Sequence, residues 1–266
     1  MTFPALFLSH GAPTLALANN VFTHCWAELA VVLGRPESIL LVSAHWETPF
    51  PVVSGAARLD TIHDFSGFPE ELYRVRYRPP GAPALASRAA ELLEAAGHAP
   101  AVDPDRGIDH GGWVPLRWMY PDADIPVMQL SVQPESGARH HLELGRALAP
   151  LRGEGVLVIA SGGIVHNLGD LDWSGRADAP FPWAATFNEW MASKVEAGAV
   201  DELADYRSLA PQAERAHPTE DHVVPFFVAL GAGGEDCTTE RIHAGIDDYV
   251  LAMDAFAFTR NDGAQA

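Results

Sequence analysis

A chain of 266 residues, 48% hydrophobic and 20% charged, has ordinary globular composition and enough apolar material for a sizeable core. Seventeen Lys and Arg against 35 Asp and Glu leave a formal charge of −18, which argues against nucleic acid and anionic membrane surfaces as partners. Cys25 and Cys237 have no metal-like spacing, no basic leader precedes the first apolar segment, and no run reaches the roughly 20 apolar residues of a membrane span, so a reduced, cytoplasmic protein is expected.

In chain order, Phe3–Leu8 reads as a first strand and Asn19–Gly34 as a helix, with Phe22, Trp26, Leu29 and Leu33 on one face and Gly34 and Pro36 as its stop. The run Ile39–Ser43 has the unbroken apolar pattern of a strand buried on both faces, so the opening is a βαβ unit and predicts a mostly parallel sheet. Pro51–Gly55 is a short strand, Thr61–Glu70 an ordered loop, and Tyr73–Tyr77 alternates as an edge strand does. Ala82–Gly97 is a helix and Gly107–Pro115 glycine-rich punctuation. Ile125–Val132 and Val156–Ala160 are strands, and Gly137–Leu151 and Phe181–Ala197 are helices. In the last of these Trp183, Phe187, Trp190 and Met191 form a core stripe. Pro218–Gly231 is a further helix with Thr219 as its N-cap, and Tyr249–Phe258 closes the sheet. The expectation is one α/β domain over residues 1–258, its mostly parallel sheet flanked by helices, with a frayed tail at 259–266.

Three strand-like runs each deliver a histidine just past their end: His10 after LFLS, His45 after ILLVSA and His166 after VLVIASGGIV. In open α/β sheets ligands bind outside the carboxyl ends of strands. Small residues around His10 and His45 leave room for a metal or substrate, and Ser161-Gly162-Gly163 before His166 reads as a turn that favours glycine. His217 and His222 lie about 140° apart on a helix, so both can share a site only if His217 precedes the helix, as Pro218 favours; His222, in the first turn, is the better ligand. The helix dipole there would keep the His222 ring neutral. His24, His98, His140, His141 and His243 read as ordinary surface or core residues. Imidazoles gathered from separate strands, with carboxylates nearby, suit zinc or non-haem iron. No G-x-S-x-G elbow, P-loop or dinucleotide fingerprint is present.

SHGAP (9–13), SAHWE (43–47), TIHDFSGFP (61–69), DHGGWVPL (109–116), SGGIVHNL (161–168) and HPTEDHVVPFFVALGA (217–232) occur in this order. Together they resemble the class III extradiol ring-cleavage dioxygenases (LigB-like), in particular the branch of 4,5-DOPA extradiol dioxygenases. The resemblance implies a mononuclear site for one divalent metal, Fe(II) or Zn(II), at the strand ends, and a small catechol and O2 as reactants. It implies His10, His45 and His222 as metal ligands, and His166 as catalytic acid/base and a fourth metal ligand in zinc-bound members. His110 is implied as a catalytic histidine in contact with substrate. Class III enzymes complete the metal triad with Glu, whereas this chain offers His222 beside Glu220 and Asp221. That substitution makes the site more zinc-like. Trp46, Trp113 and Phe65 offer an apolar wall for a substrate ring, and Asp64 and Asp109 could orient imidazoles. Two other readings compete with the ring-cleaving dioxygenase: a zinc-dependent, non-redox hydrolase on the same histidines, and a catalytically idle metal-binding protein. Nothing in the sequence specifies an oligomeric state.

Overall fold

The computed structural model describes residues 2–171 and 179–260. Its strands are β1 (Ala5–Ser9), β2 (Ser38–Glu47), β3 (Val52–Ser54), β4 (Ala101–Asp103), β5 (Val127–Val132), β6 (Val156–Gly162), β7 (Cys237–His243), β8 (Ile246–Asp247), β9 (Leu251–Ala252) and β10 (Ala255–Arg260). The helices are α1 (Val21–Leu33), α2 (Glu70–Arg74), α3 (Pro83–Ala95), α4 (His110–Met119), α5 (Gly137–Leu148), α6 (Pro182–Glu196), α7 (Val200–Ala204), α8 (Tyr206–Leu209), α9 (Ala213–Ala216) and α10 (Val224–Gly233).

Eight strands form one sheet in the order β4-β3-β5-β2-β6-β1-β10-β7, with β8 and β9 as a separate hairpin. The centre β5-β2-β6-β1 is parallel, as the βαβ opening requires, and β10 joins β1 antiparallel from the far end of the chain (Ala5 opposite Phe258). Side chains alternate between two cores. Leu40, Val42, Met128, Leu130, Val158 and Ala160 pack under α3, α5, α6 and α10. Leu6, Leu8, Ile39, Leu41, Leu157 and Ile159 pack under α1 and α4. Helices on both faces are why these strands read as unbroken apolar runs. The result is a single α/β domain with a mostly parallel sheet. No helix among the described residues is long and apolar enough to cross a membrane.

Several expectations are corrected. Tyr73–Tyr77 is not an edge strand: Glu70–Arg74 closes a helical turn, with Glu70 and Glu71 at its positive end. Gly107–Pro115 runs straight into α4, in which Gly111 and Gly112 are helical. The last long helix starts at Val224, so Thr219 caps nothing and His222 sits in the turn before it. β7 lacks the apolar run that flags a strand because it is an outer edge of the sheet and none of its residues is fully buried. Tyr249–Phe258 divides between β9 and β10, and Thr259 and Arg260 continue β10 opposite Thr238 and Cys237. The rest of the expected tail, 261–266, lies outside the described residues. Both cysteines are free thiols.

Candidate metal centre

Neighbouring parallel strands end side by side, and that alone brings distant histidines together. His10 follows β1 and its backbone N–H donates to Gly162 O (3.0 Å) at the end of β6. His45 lies inside β2, where the register against β5 slips between Val42 and Glu47. Such an irregularity re-aims a side chain. His222 is seated by its own carbonyl, which accepts the Gly163 N–H (2.8 Å). A Cβ on Gly162 would stand 2.1 Å from that same oxygen, so glycine is required here for close approach. Neither Gly162 nor Gly163 has the positive φ that the sequence suggested.

The donor atoms of His10, His45 and His222 lie within 4.8 Å of one another. Hydrogen bonds at Nδ1 orient the His10 and His222 rings. Pro115 has no N–H for the Gly111 carbonyl one turn back, and that carbonyl instead accepts the Ser161 hydroxyl (2.5 Å). Ser161 Oγ is then free to accept from His10 Nδ1 (2.9 Å), leaving Nε2 as a lone pair. His222 Nδ1 donates to Asp221 Oδ2, which leaves its Nε2 bare as well. His45 Nδ1 faces Asp64 Oδ2 (3.4 Å), and its Nε2 stands 2.9 Å from His10 Nε2. The two ring nitrogens are within hydrogen-bond reach of each other, and a divalent metal held by the three rings would take the place of that bond.

Burial, then the neighbouring imidazoles, hold His10 and His222 well below the usual histidine range. Burial, reinforced by His110 and opposed by Asp109 and Asp64, brings His45 down to about 4. Burial also lowers His166 to about 4. Rings that stay neutral near pH 7 are ready to ligate.

His166 lies flat on His222, with ring centres 3.4 Å apart and planes within 5°. Its donor atom groups with Asp221 and His222, not with the His10–His45–His222 set. The loop carrying it is pinned to α9: its N–H donates to Ala216 O (3.0 Å) and His217 Nε2 bonds to Ile164 O (2.7 Å). His217, which the sequence allowed to share the site, is spent on structure instead.

His110 opens α4 with its ring centre 4.0 Å from that of His45, and its Nδ1 donates to Asp64 Oδ2 (2.9 Å). Burial pulls the Asp64 carboxyl up, but the hydrogen bond and charge of His110 outweigh it and hold the group down at about 2. Asp109 is turned away from the imidazoles, accepting from Ser43 Oγ (2.5 Å) and pairing with Arg106 (2.6 Å).

Of the apolar candidates, Phe65 is half-buried with its ring 5.6 Å from that of His110. Trp46 is 7% exposed, beneath the Arg106 guanidinium (4.9 Å). Trp113 has no exposed surface and spends its indole N–H on Ile62 O (2.9 Å), so it supports the loop bearing Phe65 and presents nothing to a ligand. Ser161 and Asp221 were missed as orienting groups; the only sequence signal for either is adjacency to a suspected histidine or glycine turn.

The family model for the catalytic LigB subunit of aromatic ring-opening dioxygenase matches residues 4–254. The chain is 44% identical to a 4,5-DOPA dioxygenase extradiol of Escherichia coli K12, over 94% of this chain and 92% of that one. It is 42% identical to the protein of that name from Mirabilis jalapa, with 89% of each covered. Among solved structures, an uncharacterized protein of Escherichia coli K12 superposes with a TM-score of 0.80 at 37% identity, covering 96% of this chain and 99% of that one.

Proposed function

The chain belongs to the LigB family of aromatic ring-opening dioxygenases and is an extradiol ring-cleaving dioxygenase; from that premise we propose that His10, His45 and His222 hold its metal and that its substrate is a DOPA-like catechol. One observation carries the metal reading: three neutral imidazoles, His10 and His222 buried and His45 half-buried, each with its Nδ1 facing an oxygen of Ser161, Asp221 or Asp64. Bound there, the ion supplies Lewis acidity that acidifies the catechol hydroxyls and, as Fe(II), the one-electron chemistry that lets O2 react with the ring. Fe(II) is the working metal in this reading. Asp221 pulls on the Nδ1 proton of His222 and gives that imidazole part of the negative charge that a Glu ligand would bring.

The remaining roles fall to groups around the three ligands. His110, with its proton held at Nδ1 by Asp64, keeps an Nε2 lone pair for a substrate hydroxyl proton. His166, neutral and stacked on His222, is the second acid/base and exchanges a proton with the oxygen being inserted. Phe65 lines the side of the pocket next to His110. The names of the relatives support the DOPA-like substrate and weigh against the non-redox zinc enzyme.

The test is reconstitution. The protein is stripped, reloaded without air with Fe(II) or Zn(II), and given DOPA and a small catechol panel in air, with oxygen uptake and the yellow ring-opened product followed together. Turnover with Fe(II), absent with Zn(II) and lost in His45→Ala and His166→Ala, is the expected result. Tight binding of one zinc with no catechol turned over under either metal would overturn the reading.

A further inference from the structure

We propose that Asp64 is a positioning residue that sets the tautomers of two imidazoles at once, the metal-facing His45 and the substrate-facing His110. The inference rests on His45 being a ligand, as argued above. Asp64 sits on the loop between β3 and α2, and three contacts converge on its carboxylate. Oδ1 accepts the backbone N–H of His110 (3.0 Å), Oδ2 accepts His110 Nδ1–H (2.9 Å), and Oδ2 also faces His45 Nδ1 at 3.4 Å.

The loop holds this carboxylate firmly. Ile62 N–H donates to Ile108 O (2.8 Å), Trp113 Nε1 donates to Ile62 O (2.9 Å), and Thr61 and Tyr77 bond to each other through Thr61 Oγ1 (2.8 and 2.9 Å). A merely structural role is available, because α4 needs a cap and Asp109, the residue in the cap position, makes no side-chain capping bond. Asp64 supplies that bond from 46 residues away, with Oδ1. Capping leaves Oδ2 over. That second oxygen lies against two ring nitrogens whose ring centres are 4.0 Å apart, and holding a proton at each Nδ1 is what leaves each Nε2 bare. One carboxylate thus ties the geometry of the metal ligand to that of the substrate base.

Replacement by Asn separates the two roles. Asp64→Asn retains an oxygen for the His110 N–H, so α4 keeps its cap. It turns an NH2 toward the ring nitrogens, which drives both rings to the Nε2–H tautomer, unfit to ligate or to take a proton. Asp64→Ala removes the cap as well. Zinc affinity is read by chelator competition, without any catechol. The expected results are a loss on the order of 10- to 100-fold in both variants, with melting unchanged in Asp64→Asn and lowered only in Asp64→Ala. Zinc affinity within twofold of wild type in Asp64→Asn would overturn the proposal.

A measurement on the unmutated, metal-free protein decides the matter should either variant fail to fold. In a 15N-histidine spectrum, His110 is expected as the Nδ1–H tautomer with a bare Nε2; an Nε2–H signal assigned to His110 overturns the assignment. Neither readout depends on ring cleavage. Bare Nε2 atoms and weakened zinc binding in a protein that turns over no catechol would sink the proposed function and leave Asp64 in its place.

Discussion

Two helix contacts in this molecule depend on glycine, and they differ in what stands opposite. Where α5 crosses α10, a Cβ on Gly145 would lie 2.2 Å from Val228 O, and one on Gly231 would lie 2.2 Å from Leu142 O. Where α4 begins, a Cβ on Gly111 would meet Ser43 Oγ at 2.5 Å, His45 Cδ2 at 3.0 Å and His10 Cε1 at 3.2 Å. At the crossing the neighbour is helix backbone, which cannot yield. At α4 the neighbours are the side chains of the site, which can. The first contact therefore holds the fold, and the second holds the imidazoles.

The largest expected effect is at the crossing. Gly231→Ala should cost about 3 kcal/mol or more, read as a fall in denaturant midpoint, while the fraction still folded binds zinc as wild type does. Gly111→Ala should do the reverse, with zinc affinity down at least roughly tenfold and melting moved by only a few degrees. Global unfolding by Gly111→Ala would erase the distinction.

Acid should sharpen the contrast in the metal-free protein. His45 and His166 titrate near 4 when folded and near 6.5 when unfolded, so the unfolded state takes up protons first as pH falls. Their stabilisation is complete above about 6.5 and is lost on the way down to about 4, roughly 3 kcal/mol for each. His141, buried away from the centre and lowered to about 3, extends the loss further down. Denaturant titrations at steps between pH 7 and pH 4 should show this fall, and a flat profile would contradict the burial argument. Pro115→Ala should have the smallest effect. It restores a helical donor to Gly111 O in competition with Ser161, so zinc binding should weaken a few-fold while melting holds or rises.

The sequence made the strands and their histidines legible because burial on both faces leaves unbroken apolar runs: His10 stands directly beyond the first, His45 lies near the end of the second and His166 follows the third by four residues. It made α4 illegible for a physical reason. Gly111 and Gly112 are poor helix formers by local preference, and only the room they leave for Ser43, Leu41 and the rings explains them. Asp221 beside His222 was visible as a neighbour but not as its partner. Ser161, 151 residues from the ring it orients, was marked only by the glycine turn beside it. Edge strand β7 escaped notice because an edge has no second neighbour to demand apolar side chains.

The placing of β10 beside β1 has a consequence in time. The strand that leads into His10 is made early, yet its antiparallel neighbour, pairing Ala5 with Phe258, is made about 250 residues later. At about 5–20 residues per second, His222 leaves the ribosome on the order of ten seconds or more after His10. Of the three proposed ligands, a nascent chain therefore offers the cell's metal pool His10 and His45 without His222. With the proposed ligands, metal does not seed this fold as it seeds a zinc finger: loading waits until the chain has passed His222, and the identity of the ion is settled by what the folded site meets.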